Sequence, residues 1–442
     1  MEYNVYFETL GCSKNQVDTE TMLGIMTKND YRITSNPQEA HVIVVNTCGF
    51  IEAAKTESIE TILEFAPLKE EAVCQALIVT GCLSERYAEQ LKAELPEVDA
   101  LIGTTKFDEI LVVIEELLEG ATPMIRTGDI DKDISEALPR VLSTPEHYAF
   151  LKIAEGCDNL CTYCIIPQLR GKFRSRKMED ILAEAQRLAD QGVKELIVIA
   201  QDTTRYGVDL YGELRLPELV RELNKVEGIE WIRIQYLYPD VIGDELIQAM
   251  AESDKVVKYF DMPIQHASDS VLRRMNRRTT KEHIESVITR IRKAMPDATL
   301  RTTLIVGFPG ETQEEFEELK DFVSRMSFDR LGVFAYSQEE DTPAAIMPDQ
   351  VEEETKEERR EEIMAVQMRI SADRMYKWVG KSMKVLVEEI AEPGAIYIGR
   401  SAYDAPEVDG VVYVHTDQEL SLGHFVSVTI TDAMEYDRIG EM

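Results

Sequence analysis

Three short apolar runs near the start of the chain each end in a cysteine beside a glycine. The runs are NVYFETLGC, HVIVVNTCG and QALIVTGCL, and their cysteines are Cys12, Cys48 and Cys82. Helical patterns lie between them, over Thr19–Lys28 and Glu52–Phe65, and a third follows the last cysteine. Short apolar runs that alternate with helical patterns are typical of a parallel α/β sheet. We therefore expect an α/β protein that begins with a doubly wound α/β domain.

Such a sheet would bring these three cysteines together. Each follows a strand, and open α/β sheets bind ligands in the crevice outside the carboxyl ends of their strands. A closed iron–sulfur cluster normally takes four cysteines, so three thiolates predict a cluster with one iron left open. Cys74 fits no such phrase, because it precedes the Ala76–Thr80 run. Free cysteine is often a small buried hydrophobe, and we expect Cys74 to be structural.

A second set of three cysteines lies in the stretch EGCDNLCTYCIIPQLRG. Cys157, Cys161 and Cys164 are spaced Cys-x3-Cys-x2-Cys. Structural zinc takes four ligands, commonly in two Cys-x2-Cys pairs or with histidines, and neither lies nearby. The neighbouring Gly156 and Pro167 argue against three incidental core cysteines. This spacing predicts a 4Fe-4S cluster whose open iron binds a substrate.

From Tyr148 the pattern becomes strand then helix, repeated. The predicted strands are Phe150–Ala154, Glu195–Ala200, Trp231–Leu237, Val257–Met262, Thr299–Val306 and Gly332–Tyr336. Helical periodicity between them includes Met178–Gln191, Lys281–Lys293 and Gln313–Met326. Six β/α units predict an open partial (β/α)6 barrel rather than a closed eightfold one.

The sequence pattern changes at residue 352 and again at residue 381. The densely charged stretch Glu352–Met375 has apolar positions at helical spacing and predicts a connecting helix. From Lys381 the runs KVLVEEI, AIYIGRS, GVVYVHT and HFVSVTITDA predict a small antiparallel β-barrel. We predict an N-terminal domain over 1–125, a linker over 126–147, the partial barrel over 148–345, the connecting helix over 346–377 and the small barrel over 378–442.

Charge limits the partners that the chain could bind. It carries 48 Lys and Arg against 82 Asp and Glu, a net charge of −34. Such a surface repels phosphates, so direct nucleic-acid binding is not expected, whereas a basic partner would be attracted. Alternatively, the negative charge serves only to keep the protein soluble and indicates no partner. From residue 381 onward, four basic residues stand against twelve acidic ones, which favours a basic protein partner.

The sequence also predicts where the protein works. It has no apolar run of 18 residues, so we expect no membrane span. The start MEYNVYFETL lacks the basic and apolar regions of a secretory signal. Reduced thiols together with oxygen-sensitive clusters favour a cytoplasmic location.

The chain resembles the radical SAM methylthiotransferase family over essentially its whole length. The matching phrases are LGCSKNQVDTE, VNTCGFIEAAKTESI, VTGCLSERY, KIAEGCDNLCTYCIIPQLRGKFRSR and GRSAYDAPEVDGVVYV. That family has a methylthiotransferase domain, a radical S-adenosylmethionine (SAM) barrel and a TRAM barrel, in this order. Within it, the chain is most similar to the branch that methylthiolates an aspartate of small-subunit ribosomal protein S-twelve. One departure is Ser13, where that branch more often has proline.

The resemblance implies a mechanism and a set of partners. The cluster on Cys157, Cys161 and Cys164 would bind SAM and generate a 5′-deoxyadenosyl radical that takes hydrogen from the aspartate β-carbon. A second, auxiliary cluster on Cys12, Cys48 and Cys82 would deliver sulfur methylated by a first SAM. An electron donor such as flavodoxin or ferredoxin would be needed. The alternatives are the sister activity on tRNA adenosine and a non-catalytic iron–sulfur scaffold or electron carrier.

Several other residues are candidates for the site. Tyr163, Ile305 and Gly307 resemble residues that meet the adenine of SAM, although a plain turn would also use the glycine. Polar residues at the carboxyl ends of barrel strands favour function, which suggests Gln201 and Asp202 for SAM. Gln265 and His266 close the fourth strand, and a satisfied histidine at a strand end is favoured over a pocket role for His266. Arg170 and Arg174 are candidates for binding a carboxylate, either that of SAM or that of the substrate, with a solvated basic turn as the alternative.

Overall fold

The computed structural model of the protein describes residues 3–134 and 138–442. The N-terminal domain is a six-stranded parallel sheet in the order β2-β1-β3-β4-β5-β6. Its strands are β1 Asn4–Thr9, β2 Arg32–Ile33, β3 Val42–Thr47, β4 Ala76–Gly81, β5 Ala100–Ile102 and β6 Met124–Arg126. Its helices are α1 Ser13–Lys28, α2 Glu52–Phe65, α3 Leu68–Glu71, α4 Cys82–Glu94 and α5 Ile110–Leu118.

Helices cover both faces of this sheet, as the doubly wound prediction requires. One core packs α2 and α4 against one face, and the other packs α1 and α5 against the opposite face. Every residue of β3 and β4 is buried, which explains their continuous apolar sequence. Cys74 lies in the first core, where its Sγ donates to the carbonyl of Ala76 at 3.5 Å.

Helix α1 begins at Ser13, so the predicted start at Thr19 is wrong. Its first turns carry Lys14, Asn15 and Asp18, which are buried although they are polar. They face the second domain rather than an apolar core, and a search for apolar periodicity therefore misses them.

The central domain contains six parallel strands in two groups of three, β11-β10-β7 and β12-β13-β14. A bridge between Ile232 and Val256 joins the two groups, so the strands follow one another in chain order as a partial barrel. The strands are β7 Tyr148–Lys152, β8 Ala154–Glu155, β9 Arg174–Ser175, β10 Glu195–Ile199, β11 Trp231–Ile234, β12 Tyr259–Asp261, β13 Thr299–Val306 and β14 Arg330–Ala335. The short β8 and β9 pair with each other, outside the barrel wall.

The helices of this domain follow the strands and pack around a single large core. They are α6 Ile166–Arg170, α7 Met178–Asp190, α8 Val208–Tyr211, α9 Leu216–Leu223, α10 Asp244–Glu252, α11 Asp269–Arg274, α12 Lys281–Ala294 and α13 Gln313–Met326. The connecting helix α14, Glu353–Tyr376, comes next. No helix in the described ranges is long and apolar enough to span a membrane.

The C-terminal domain is a closed five-stranded barrel in the order β15-β16-β17-β19-β18. Its strands are β15 Ser382–Glu392, β16 Ile396–Ser401, β17 Val412–His415, β18 Phe425–Ala433 and β19 Arg438–Glu441. The sequence predicted four of them and missed β19, which is short and charged. This strand closes the barrel by pairing parallel to β17, while the other pairs are antiparallel.

The C-terminal barrel packs on the amino ends of the central strands. Tyr148, Glu195, Tyr259 and Arg330 are the first residues of β7, β10, β12 and β14. Each contacts a side chain of the C-terminal barrel, in the pairs Tyr148–Glu407 at 2.7 Å, Glu195–Arg400 at 2.7 Å, Tyr259–Asp409 at 2.5 Å and Arg330–Asp404 at 2.5 Å. We call this contact the lower interface. It lies at the opposite end of the central strands from their carboxyl termini.

A six-cysteine cavity as the candidate active site

A cavity of about 380 Å³ lies between the carboxyl ends of the N-terminal sheet and those of the central barrel. Cysteines from both domains line it: Cys12, Cys48, Cys82, Cys157, Cys161 and Cys164. The other lining residues are Lys14, Asn15, Phe50, Asn159, Tyr163, Ile166, Arg170, Gln201, Tyr236, Tyr238, Pro263, Gln265, Arg277 and Thr303. The fold thus brings together two cysteine sets that are far apart in sequence.

The N-terminal wall carries Cys12, Cys48 and Cys82. They follow β1, β3 and β4, which are neighbours in the sheet. Cys12 immediately precedes α1 and Cys82 is the first residue of α4, and helix N-termini favour thiolates. Gly11 allows the loops to approach, because a Cβ at its φ of +90° would lie 2.9 Å from the Cβ of Cys48.

The barrel wall carries Cys157, Cys161 and Cys164 on the loop between β8 and α6. The backbone N–H of Asn159 donates to the Sγ of Cys157 at 3.4 Å, and the Asn159 amide donates to Asp202 at 2.8 Å. Asp202 therefore acts on this loop through Asn159 rather than by lining the cavity.

The six thiols suit iron–sulfur clusters rather than a single metal ion. Among the described residues, no three His, Cys, Asp or Glu side chains could hold a single metal ion. A cubane differs, because each thiolate binds a different iron and the three sulfurs surround a larger body. Burial raises the pKa of Cys82 to about 12 and that of Cys157 to about 11. Iron must therefore displace protons from these thiols as it binds. The residues present fit two three-cysteine clusters.

Two side-chain amides supply acceptors for a further ligand. Gln201 and Gln265 both line the cavity, and the Oε1 atom of each is buried without a hydrogen-bond partner within the described parts of the chain. A buried acceptor without a partner costs free energy. A ligand that carries ammonium or hydroxyl donors would satisfy both, as the amino and ribose groups of SAM would.

A buried ionic bridge joins the two walls. The guanidinium of Arg170 donates to Asp18 at 2.7 Å, and also to Asn15 of the same helix. Lys152 completes the bridge, at 2.6 Å from Asp18 and 2.8 Å from Glu155. Although burial opposes ionisation, Lys152 and Arg170 hold the pKa of Glu155 well below its usual value. All five groups are buried, so the bridge fixes α1 against the barrel beside the cavity.

A second ionic contact joins the domains through the chain that follows β14. The carboxylate of Glu339 accepts from the backbone N–H of Glu52 at 2.8 Å. It also lies 3.3 Å from Lys55 and 3.5 Å from Arg86. This contact ties the cavity walls together at a place separate from the bridge around Arg170.

Lys14 lines the cavity next to the N-terminal cysteines. Its ammonium lies 3.1 Å from the ring centroid of Tyr236, and the residue is only 6% exposed. On the barrel side, Arg277 donates to the hydroxyl of Tyr163 at 3.3 Å and stacks 4.1 Å from the ring of Tyr238. The cavity therefore has a cation near each cysteine set, in addition to Arg170 of the ionic bridge.

The structure brings some of the predicted site residues to the cavity and leaves others outside it. The six cysteines, Tyr163, Gln201 and Arg170 line it, and so does Gln265. Asp202, Ile305, Gly307 and Arg174 do not, and His266 is fully buried behind the wall. A Cβ at Gly307 would clash with Lys356 of α14, which explains that glycine by packing. Arg174 donates to the backbone carbonyls of Arg170 and Lys172.

Sequence reasoning missed Lys14, Asn15, Tyr236, Tyr238 and Arg277 as cavity residues. Tyr236 and Tyr238 could have been found, because they follow the third barrel strand as Gln201 follows the second. The predicted strand ran to Leu237, whereas β11 ends at Ile234. Arg277 lies in the loop between α11 and α12, where no strand end marks it.

Three family models match successive parts of the chain. Residues 4–103 match the model described as "Uncharacterized protein family UPF0004", residues 151–323 match the radical SAM superfamily, and residues 379–442 match the TRAM domain. The matches occur in the order of the three folded domains.

Curated relatives match nearly the full length. A protein of Clostridioides difficile, named ribosomal protein uS12 methylthiotransferase RimO, is 54% identical over 99% of this chain and 98% of its own. A protein of the same name from Lachnoclostridium phytofermentans is 53% identical over 99% of both chains. Among solved structures, the radical SAM methyltransferase TsrM of Kitasatospora setae aligns with a TM-score of 0.57 at 13% identity. The alignment covers 78% of this chain and 77% of that one, and it shows a shared fold only.

Proposed function

The chain belongs to the RimO family of radical SAM methylthiotransferases, and we propose that it methylthiolates the β-carbon of an aspartate in ribosomal protein S-twelve (uS12). The observation that carries this proposal is the cavity with three thiols on each wall. A carrier of electrons gains nothing from two clusters that each lack a fourth cysteine. An enzyme that must both activate a carbon and deliver sulfur needs two such sites facing one substrate.

We assign the SAM-binding cluster to Cys157, Cys161 and Cys164, and the auxiliary cluster to Cys12, Cys48 and Cys82. When bound, these clusters and SAM supply the radical that activates the carbon and the methylated sulfur that replaces its hydrogen. Of the earlier SAM candidates, Tyr163 and Gln201 are supported as contacts because they line the cavity. Gly307 and Asp202 would act through the loops that they shape, and Ile305 in β13 through the apolar cluster that also packs against Tyr163.

The protein's own residues hold and orient these groups. Gln201 and Gln265 present buried acceptors to the amino and ribose groups of SAM. Arg277 brings a cation to the same side, beside Tyr163 in the cysteine loop. Arg170 keeps the two walls in register through its contacts to Asp18 and Asn15. Since Arg170 already has carboxylate partners inside the protein, its proposed role shifts from substrate binding to positioning.

The surface of the C-terminal barrel supports a basic substrate. Two of its four cations, Arg400 and Arg438, are buried. Lys381 and Lys384 are its exposed cations, against eight exposed acidic residues: Glu389, Glu392, Glu407, Asp417, Glu419, Asp432, Glu435 and Glu441. A domain that grips tRNA carries a basic footprint, so the tRNA activity is not favoured. A basic ribosomal protein fits this surface by charge.

The proposed reaction also requires an electron donor and a compartment that contains the substrate. The reaction needs a one-electron donor, such as flavodoxin or ferredoxin, and direct binding of nucleic acid is not required. Ribosomal proteins and reduced thiols both belong to the cytoplasm, which is the location that we propose. We keep 1–125, 126–147, 148–345, 346–377 and 378–442 as the proposed domain boundaries.

Intact-mass analysis of ribosomal protein S-twelve would test the proposal. The protein would be incubated without oxygen with reconstituted enzyme, SAM, sulfide and a reductant. We expect a gain of one methylthio group, localised to an aspartate. If 5′-deoxyadenosine forms while the mass stays unchanged, the radical chemistry is right and the substrate is wrong. Transfer RNA would then be tested under the same conditions.

A further inference from the structure

Lys14 is a buried lysine that lines the cavity. Its side chain forms no ion pair within the described residues, and it contacts the ring of Tyr236 through its ammonium. Arg170 differs, because it lies against the carboxylates of Asp18 and Glu155. A cation–π contact stabilises an ammonium but does not neutralise it, and burying an unpaired charge is costly. The ammonium is therefore available to pair with an anionic group that enters the cavity.

The backbone around Tyr236 fixes the ring that Lys14 contacts. Tyr236 has a φ of +60°, which is unfavourable for a residue with a Cβ. Its N–H donates to Asp261 at 3.1 Å, and its carbonyl accepts from the N–H of Thr203 at 3.1 Å. Backbone strain that neighbours hold in place in this way clusters at functional sites. The ring therefore supports the ammonium before any ligand binds.

Two carboxylates must enter this cavity if the proposed function is right. One belongs to SAM and the other to the aspartate that is modified. SAM binds on the side of Cys157, Cys161 and Cys164, where Arg277 lies beside Tyr163 of the same loop. Lys14 is two residues from Cys12, on the side of the auxiliary cysteines. The second carboxylate is therefore left for Lys14.

We propose that Lys14 binds the β-carboxylate of the target aspartate and so selects aspartate as the residue to be modified. This inference rests on the proposed function. The carboxylate is bonded directly to the β-carbon, so holding it fixes the carbon that exchanges hydrogen for sulfur. A charge-assisted hydrogen bond from a buried ammonium distinguishes a carboxylate from the neutral amide of asparagine. Lys14 is thus a specificity-determining residue on the auxiliary side.

Binding measurements with the holoenzyme would test this role. Ribosomal protein S-twelve with its target aspartate, and the same protein with that aspartate changed to asparagine, would be titrated under anaerobic conditions. We expect wild-type enzyme to bind the aspartate form about tenfold or more tightly than the asparagine form. Lys14→Met should bind both forms alike, and Lys14→Arg should restore part of the preference. Lys172→Met removes the same charge from an exposed position outside the cavity and should keep the wild-type preference.

The outcomes separate this inference from the proposed function. If wild-type enzyme binds neither form, the substrate assignment fails, and the role of Lys14 fails with it. If wild-type enzyme binds both forms alike, or if Lys14→Met keeps the full preference, the carboxylate contact is wrong while the substrate assignment stands. Iron content measured on each variant shows whether it still holds its clusters. Should Lys14→Met not fold, Lys14→Gln serves as the second neutral variant.

Discussion

At the scale of single residues, the cavity depends on side chains whose neighbours limit their freedom. Cys12 and Cys82 sit at the start of helices, and Asn159 holds Cys157 through its backbone N–H. Placement rather than intrinsic reactivity distinguishes the two sets of thiols, because burial raises the pKa of cysteines on both walls. Changing one cysteine in each set should therefore have different consequences.

Cys157→Ala should abolish formation of 5′-deoxyadenosine, because it removes a ligand of the SAM-binding cluster. Cys48→Ala should spare at least part of SAM cleavage and abolish sulfur transfer. Chromatographic assay of 5′-deoxyadenosine and intact mass of ribosomal protein S-twelve measure the two activities side by side. Sulfur transfer by Cys48→Ala would show that the auxiliary role is assigned to the wrong cysteines. Cys74→Ala, in the core away from the cavity, is the matched control and should keep both activities.

Arg170→Met should loosen the contact between α1 and the barrel. The change leaves Asp18 and Glu155 with Lys152 as their remaining cation, and breaking a buried ionic network costs about 3–5 kcal/mol. Hydrogen exchange of the α1 amides measures this as a lower free energy of local opening. We also expect less iron in the purified protein, because Arg170 lines the cavity beside Cys82.

Arg140→Met provides the comparison for that experiment. Arg140 also crosses the interface, with Glu20 at 2.5 Å and Glu184 at 2.7 Å, but it does not line the six-cysteine cavity. Arg140→Met should therefore lower the free energy of local opening of α1 while leaving the iron content unchanged. Equal loss of iron from both variants would mean that the effect comes from domain docking alone.

At the scale of elements, the strands that end at the cavity were predictable, whereas the start of helix α1, which faces another domain, was not. The order of strands and cysteines follows from short apolar runs and from the glycine beside the cysteine that ends each run. The first turns of α1 escaped detection because their buried side chains are polar. The sequence did not predict Lys14 and Arg277 as cavity residues for a related reason. Their roles depend on contacts with residues distant in sequence, which no local pattern records.

Acid should weaken the lower interface. Burial opposes ionisation of Glu195 and Asp404, but Arg400 and Arg233 around the first, and Arg438 and Arg330 around the second, hold both pKa values below their usual range. A carboxylate with a depressed folded-state pKa stabilises the protein above its unfolded pKa, which is about 4.5 for Glu and 3.8 for Asp. That stability is lost as the pH falls further.

Peptide-resolved hydrogen exchange between pH 6 and pH 3.5, corrected for the intrinsic exchange rate, measures this loss in β15 and β16. We expect protection there to decline below about pH 4.5. Asp404→Asn should lower protection at pH 6 and make it less dependent on pH. An unchanged pH dependence in that variant would exclude Asp404 as a source of the acid sensitivity.

At the scale of the whole molecule, the acidic C-terminal barrel and the cavity lie at opposite ends of the central strands. A substrate that contacts both must reach around the barrel. Reversing two exposed charges, Glu389→Lys with Glu392→Lys, should therefore raise KM for ribosomal protein S-twelve by about tenfold at low salt, since steering and encounter depend on charge. A short peptide that carries only the target segment should be unaffected.

The control for this pair keeps the same change in net charge. Glu354→Lys with Glu358→Lys places two cations on the exposed side of α14, away from the C-terminal barrel. Steady-state kinetics at low and high salt would compare the two double variants. If they raise KM equally, overall charge and not the C-terminal barrel attracts the substrate. If the peptide loses activity as well, the reversed charges have disturbed the cavity.

The lower interface also bears on how such an enzyme can change over evolutionary time. Its ionic pairs tie the C-terminal barrel to the amino ends of the central strands, so the exposed side of that barrel shares no residue with the cavity. Mutations there can accumulate without altering a cysteine, a cofactor contact or the bridge around Arg170. The architecture thus lets selection change which macromolecule is captured while the reaction at the other end is inherited intact.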